Sequence, residues 1–150
     1  MKINGLRSVP YEIKLRRLVS DANDPNCRIY MPMMAVWLDC DAGMSGVALG
    51  SPGMRSQIHG LVDDLLVGRD PRGVRGHWKR MMDATLKVDN RGLINSAIRT
   101  IGIALWDIKA MLNYEPLWKT LGASTRAVCT DASGIDLSMT DDELSGFYSG

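Results

Sequence analysis

The stretch Ala104-Leu105-Trp106-Asp107-Ile108-Lys109, followed by Pro116-Leu117 and Leu121-Gly122, decides how the rest of the chain is read. Around it, Ile94, Ala97, Ile98, Ile101, Leu105, Ile108 and Leu112 recur at helical spacing and form one apolar stripe. The spacing predicts a long helix over 93–112. Asn113 and Tyr114 stop it, and Pro116 keeps the next short turn separate.

Upstream of this helix the punctuation predicts two more. Ser51-Pro52 reads as N-cap and first helical position of a helix reaching about Val67, with Gly68 ending it. Asp70-Pro71 repeats the start signal for a helix to about Leu86, and Asn90-Arg91-Gly92 separates it from the long helix. The first fifty residues read as strands. Residues 2–13 form the first, with Pro10 marking an edge or a strand end. The polar stretch from Arg16 to Arg28 is rich in turn residues and predicts a surface loop. Met31 to Cys40 reads as a second strand carried by Val36, Trp37 and Leu38. Asp41-Ala42-Gly43 turns the chain, and Ser45 to Leu49 returns as a short third strand. Together they suggest a three-stranded antiparallel meander followed by a helical bundle, an α+β arrangement. After Gly122, Arg126 to Thr130 reads as a strand and Ser133-Gly134 as a turn. Thr140-Asp141-Asp142-Glu143 is a capping box that opens a last helix.

Composition bounds the function classes. Hydrophobic residues make up 45% of the chain, enough for a real core. Eighteen Lys and Arg against 17 Asp and Glu give a formal charge of +1, so no electrostatic footprint for nucleic acid or anionic lipid is present. No apolar run of roughly 18 residues, the length a membrane span needs, occurs. Met1 to Arg7 lacks the apolar core of a secretory signal. Cys27, Cys40 and Cys129 are far apart and odd in number, so neither a disulfide framework nor a zinc site is indicated. A reducing cytoplasm is the expected setting.

The A-L-W-D-x-K run, with Pro116-Leu117 and Leu121-Gly122, resembles the element that joins capping domain to barrel in the enolase superfamily, mandelate racemase/muconate lactonizing branch. The order of the other elements agrees along the whole chain. The resemblance implies an enolase-like N-terminal capping domain over 1–123. Residues 124–150 would be the first strand and the start of the first helix of a TIM-type catalytic barrel. A complete barrel alone takes about 250 residues, so a chain of 150 residues is expected to be a fragment. Gly102, Ala110, Ala123 and Asp131 depart from the family pattern and blur the subgroup. Gly102, where many relatives carry Asp, also costs the helix roughly 1 kcal/mol against Ala.

What the resemblance implies for chemistry is specific. The family removes the proton next to a substrate carboxylate, and Mg2+ stabilises the enediolate that forms. The metal ligands and proton-transfer bases stand on barrel strands, so no residue of this chain takes a catalytic or metal-ligand role. As a 150-residue chain it is expected to be inactive alone. Two capping loops shape the pocket in the family. Here the first holds Val19, Ser20, Asp21 and Ala22, and the second lies near Gly50, Ser51 and Pro52. Ser133 would sit at the end of the first barrel strand, where substrate contacts are common. The plainer alternative makes Ser20 and Asp21 turn residues, Ser51 an N-cap and Ser133 a loop serine. Asp107 and Lys109 read as structural, and the four tryptophans as core or interface anchors. Met31, Met33, Met34, Met81 and Met82 read as gap fillers or as part of a barrel seam. His59 and His77 stand isolated on predicted helices.

The parent enzyme implied is an acid-sugar dehydratase using Mg2+. Its partners would be a small carboxylate or acid sugar and further copies of itself, without nucleic acid or membrane. A racemase, epimerase or cycloisomerase of the same superfamily is the nearest alternative. A standalone, non-catalytic capping-domain interaction protein is the alternative from another class.

Overall fold

The computed structural model describes residues 1–21, 24–88, 91–130 and 139–149. Three strands come first: β1 (Ile3–Asp21), β2 (Asp24–Cys40) and β3 (Ser45–Gly50). Helices follow: α1 (Arg55–Leu65), α2 (Val74–Thr85), α3 (Gly92–Leu112), α4 (Leu117–Thr120) and α5 (Asp141–Ser149). The strands form one sheet in the order β1-β2-β3, and β3 runs antiparallel to β2. The chain divides into two compact units, residues 1–11 with 33–126, and residues 12–32 with 127–150.

In the first unit the register explains the packing. Met34 pairs with Gly50, Val36 with Ala48 and Leu38 with Gly46. The large β2 residues of these pairs are fully buried, and their β3 partners are small. Small partners let α3 lie directly on β3. At Gly46 the approach is so close that a Cβ would stand 2.1 Å from the Ala104 carbonyl oxygen. The predicted stripe is the core face of α3: Ala97, Ile98, Ile101, Ala104, Leu105 and Ile108 are buried, with Ile94 and Leu112 packed at its ends. Ile58 and Val62 of α1 and Met81 of α2 complete this core. Each such fully buried side chain contributes about 1.5–3 kcal/mol relative to exposure.

The helix ends are as well defined as the faces. Gly68 takes φ +79° beyond α1, and its N–H donates to the Ile3 carbonyl while the Ile3 N–H donates to Arg69. The helix exit is thereby stitched to the start of β1. Tyr114 and Glu115 donate back to Met111 and Ala110, closing α3 with a Schellman motif. Gly122 (φ +81°) and Ala123 repeat that motif after α4.

Several sequence expectations are corrected. The strands are much longer than 2–13 and 31–40, and most of the stretch from Arg16 to Arg28, expected to be a loop, is strand. Two paired strands satisfy each other's backbone groups whatever their side chains, so polar sequence does not end a hairpin. The helix read from Ser51-Pro52 begins as a 3-10 turn at Pro52–Met54 and becomes α-helical at Arg55. The start read at Asp70-Pro71 is three residues early. Asp70 instead accepts from the Arg72 N–H and side chain, and Gly73 caps α2. Arg126 to Thr130 carries no strand and is exposed. Of the four tryptophans, read as core or interface anchors, Trp106 packs partly buried against the core, whereas Trp78 is 48% exposed. Met34, Met54 and Met81 do fill the core, whereas Met31 is exposed.

Candidate functional site

The second loop predicted from sequence is fully placed. Gly50 ends β3, and Ser51 caps the 3-10 turn that follows, its Oγ accepting from the Gly53 N–H at 3.4 Å. Pro52 occupies the first turn position, where its fixed φ fits and no N–H is needed. Ser51 is exposed, so its hydroxyl serves as a cap and still faces solvent. Beneath it Met54 is buried, and its Sδ accepts from Thr100 Oγ1 at 3.6 Å.

The first loop falls in the second unit. Val19 and Ser20 lie near the end of β1, which Asp21 closes. Ser20 is only 3% exposed, so it is a buried residue and not part of a free turn. Ala22 and Ser133 lie outside the described residues. In the same unit Arg17 stacks on Phe147 of α5, with the guanidinium carbon 5.0 Å from the ring centre. The capping box is as read: Glu143 N–H donates to Thr140 Oγ1 at 3.3 Å, and Thr140 N–H to Glu143 Oε2 at 2.8 Å. The Thr140 N–H, and after it the Thr140 hydroxyl, both donate to Oε2 and hold the Glu143 carboxyl below its usual range.

The A-L-W-D-x-K run does structural work. Asp107 Oδ2 accepts from the Val47 N–H at 2.9 Å, capping a donor on the free edge of β3. Lys109 stands over the Trp106 ring at 5.1 Å. On the outer sheet face Arg7 pairs with Asp39, which also accepts from Ser45. The Arg7 bond, more than any other effect, holds the Asp39 carboxyl below its usual range. Cys40 is buried, and burial, with Asp41 and Asp39 nearby, pushes its thiol up.

Sequence reasoning missed one cluster. His59, read as isolated, lies 2.9 Å from Ser8 Oγ, and Arg55 Nε donates to the same oxygen at 3.1 Å. The partners are 51 residues apart, so only the i, i+4 spacing of Arg55 and His59 was visible in the sequence. His77 bonds the Asp70 carbonyl through Nε2 at 2.7 Å. It lines a cleft of about 530 Å3 with Arg69, Arg72 and Arg80. Among the described residues no three His, Cys, Asp or Glu side chains come together as a metal site. Among the described residues no helix is long and apolar enough to cross a membrane.

A three-stranded antiparallel sheet backed by helices, the long A-L-W-D helix among them, is the capping-domain fold of the enolase superfamily. Comparison with known proteins fixes the branch. The profile described as "Mandelate racemase / muconate lactonizing enzyme, N-terminal domain" matches residues 28–122, and the chain belongs to that family. It is similar to the 3,6-anhydro-alpha-L-galactonate cycloisomerase of Streptomyces coelicolor, with 25% identity over 91% of this chain and 39% of the relative. It is also similar to the L-talarate/galactarate dehydratase of Salmonella typhimurium, with 36% identity over 57% of this chain and 21% of the relative. A racemase structure from Streptomyces coelicolor with bound magnesium superposes with a TM-score of 0.86. It is 24% identical and covers 98% of this chain and 43% of that one. The chain thus spans well under half the length of these relatives.

Proposed function

We propose that residues 1–123 are the capping domain of a Mg2+-dependent acid-sugar dehydratase and that residues 124–150 open its barrel. In this reading the barrel supplies base and metal, and this chain supplies the walls that select the substrate and exclude water. The carrying observation is the 36% identity to the talarate/galactarate dehydratase. Val19, Ser20, Asp21, Ala22, Ser51, Pro52 and Ser133 are the proposed substrate-facing residues. The exposed hydroxyl of Ser51, on a turn anchored by Met54, suits contact with a polyhydroxy acid.

A second reading, a cycloisomerase, is favoured by the wider match of 91% of the chain to the Streptomyces enzyme. Two chimeras separate the readings: residues 1–123 replace the corresponding region of the Salmonella dehydratase and of the Streptomyces cycloisomerase. Each is assayed with Mg2+ on its own barrel's substrate. The dehydratase chimera is expected to turn over and the cycloisomerase chimera to be at least tenfold weaker. The reverse ranking would overturn the proposal in favour of the second reading.

A further inference from the structure

The Ser8, Arg55 and His59 cluster stands immediately beside the second loop. Arg55 belongs to both: its N–H donates to the Pro52 carbonyl and closes the 3-10 turn, while its Nε donates to Ser8 Oγ on β1. Ser8 Oγ also lies 2.9 Å from His59 Nε2, so the hydroxyl is held between the two side chains and its oxygen is kept facing Arg55. The loop is therefore held twice. Met54, buried in the core, packs against Thr100 of α3 from below, and Arg55 ties the loop to β1 from the side.

We infer that Ser8 and His59 are positioning residues for Gly50–Pro52, setting the loop through Arg55. The inference deepens the substrate-facing reading of that loop and rests on it for its functional meaning. Three amides report the loop directly. Gly53 N–H donates to Ser51 Oγ, Met54 N–H to the Ser51 carbonyl, and Arg55 N–H to the Pro52 carbonyl.

The test is amide hydrogen exchange of the 150-residue chain, with Ser8→Ala, His59→Phe and the conservative Ser8→Thr. Ser8→Ala and His59→Phe are expected to speed exchange at Gly53, Met54 and Arg55 about fivefold, the scale of one part-buried hydrogen bond. Amides of Ile98, Ile101 and Leu105 are expected to keep their wild-type rates, and Ser8→Thr to restore all three loop amides. Unchanged loop exchange, an equal acceleration in α3, or no rescue by threonine would overturn the inference. The same variants in the dehydratase chimera keep the two claims apart. Faster exchange with unchanged kcat and KM would overturn the substrate-facing reading and leave the strut standing.

Discussion

Tyr114 holds φ +53° at the end of α3, in the left-handed region where a side chain costs about 1 kcal/mol or more, and it is 97% exposed. The ring therefore gains almost nothing to offset the backbone strain. Tyr114→Gly is expected to raise stability by about 1 kcal/mol in urea unfolding, and a loss of stability would contradict this account of the Schellman turn. Asp107 is the opposite case, a residue whose side chain secures another element's backbone. Asp107→Ala is expected to cost about 1 kcal/mol by leaving the Val47 N–H without its acceptor. Asp107→Asn keeps an acceptor and is expected to recover most of that, which a catalytic role for the carboxylate would not predict. Asp39 adds a pH dependence. Its carboxyl is held below the usual range by Arg7, so its stabilisation is present above the unfolded value near 4 and is lost as pH falls through the lower folded value. Asp39→Asn is expected to lower the melting temperature slightly at pH 6, with the difference from wild type shrinking as pH falls below about 4, and to remain a small effect because Arg7 is largely exposed.

The elements α3 and β3 depend on glycine in opposite ways. At Gly46 an added Cβ meets the Ala104 backbone at 2.1 Å, whereas at Gly102 it meets nothing within 4 Å. Gly46→Ala is therefore expected to destabilise by about 3 kcal/mol, and Gly102→Ala to stabilise by about 0.5–1 kcal/mol, both read from denaturant melts. The same contrast shows what the sequence made legible. The α3 stripe was readable because a buried helix face must repeat at helical spacing, and the end of α1 because Gly68 needs positive φ. The long first two strands were readable only in part. Tyr11, Ile13 and Leu15 alternate with Glu12, Lys14 and Arg16, a strand signal that runs past residue 13, whereas the turn-forming residues from Ser20 to Asn26 hid the remainder. Pro71 suggested a helix start, but the Asp70–Arg72 turn and the His77 bond to the Asp70 carbonyl postpone the helix to Val74. Of the candidate site, Ser51 and Pro52 were visible as cap and first-turn residues. Ser8 was not, because its contact with His59 is made only by folding.

At the scale of the whole molecule the chain divides the family's labour. The first unit is a finished core carrying the Gly50–Pro52 loop, and the second carries the hairpin end with Val19 and Ser20. In the function proposed above, each unit contributes residues that face the substrate. The central claim is that these surfaces select the substrate. The measurement that tests it most directly is the ratio of kcat/KM for two acid sugars, galactarate and talarate, in the dehydratase chimera. It is taken before and after residues 50–52 are exchanged for those of the Salmonella enzyme. The account predicts that the ratio shifts at least tenfold, about 1.4 kcal/mol of discrimination, while Mg2+ dependence is unchanged. A ratio that stays constant in a folded, active chimera would contradict it.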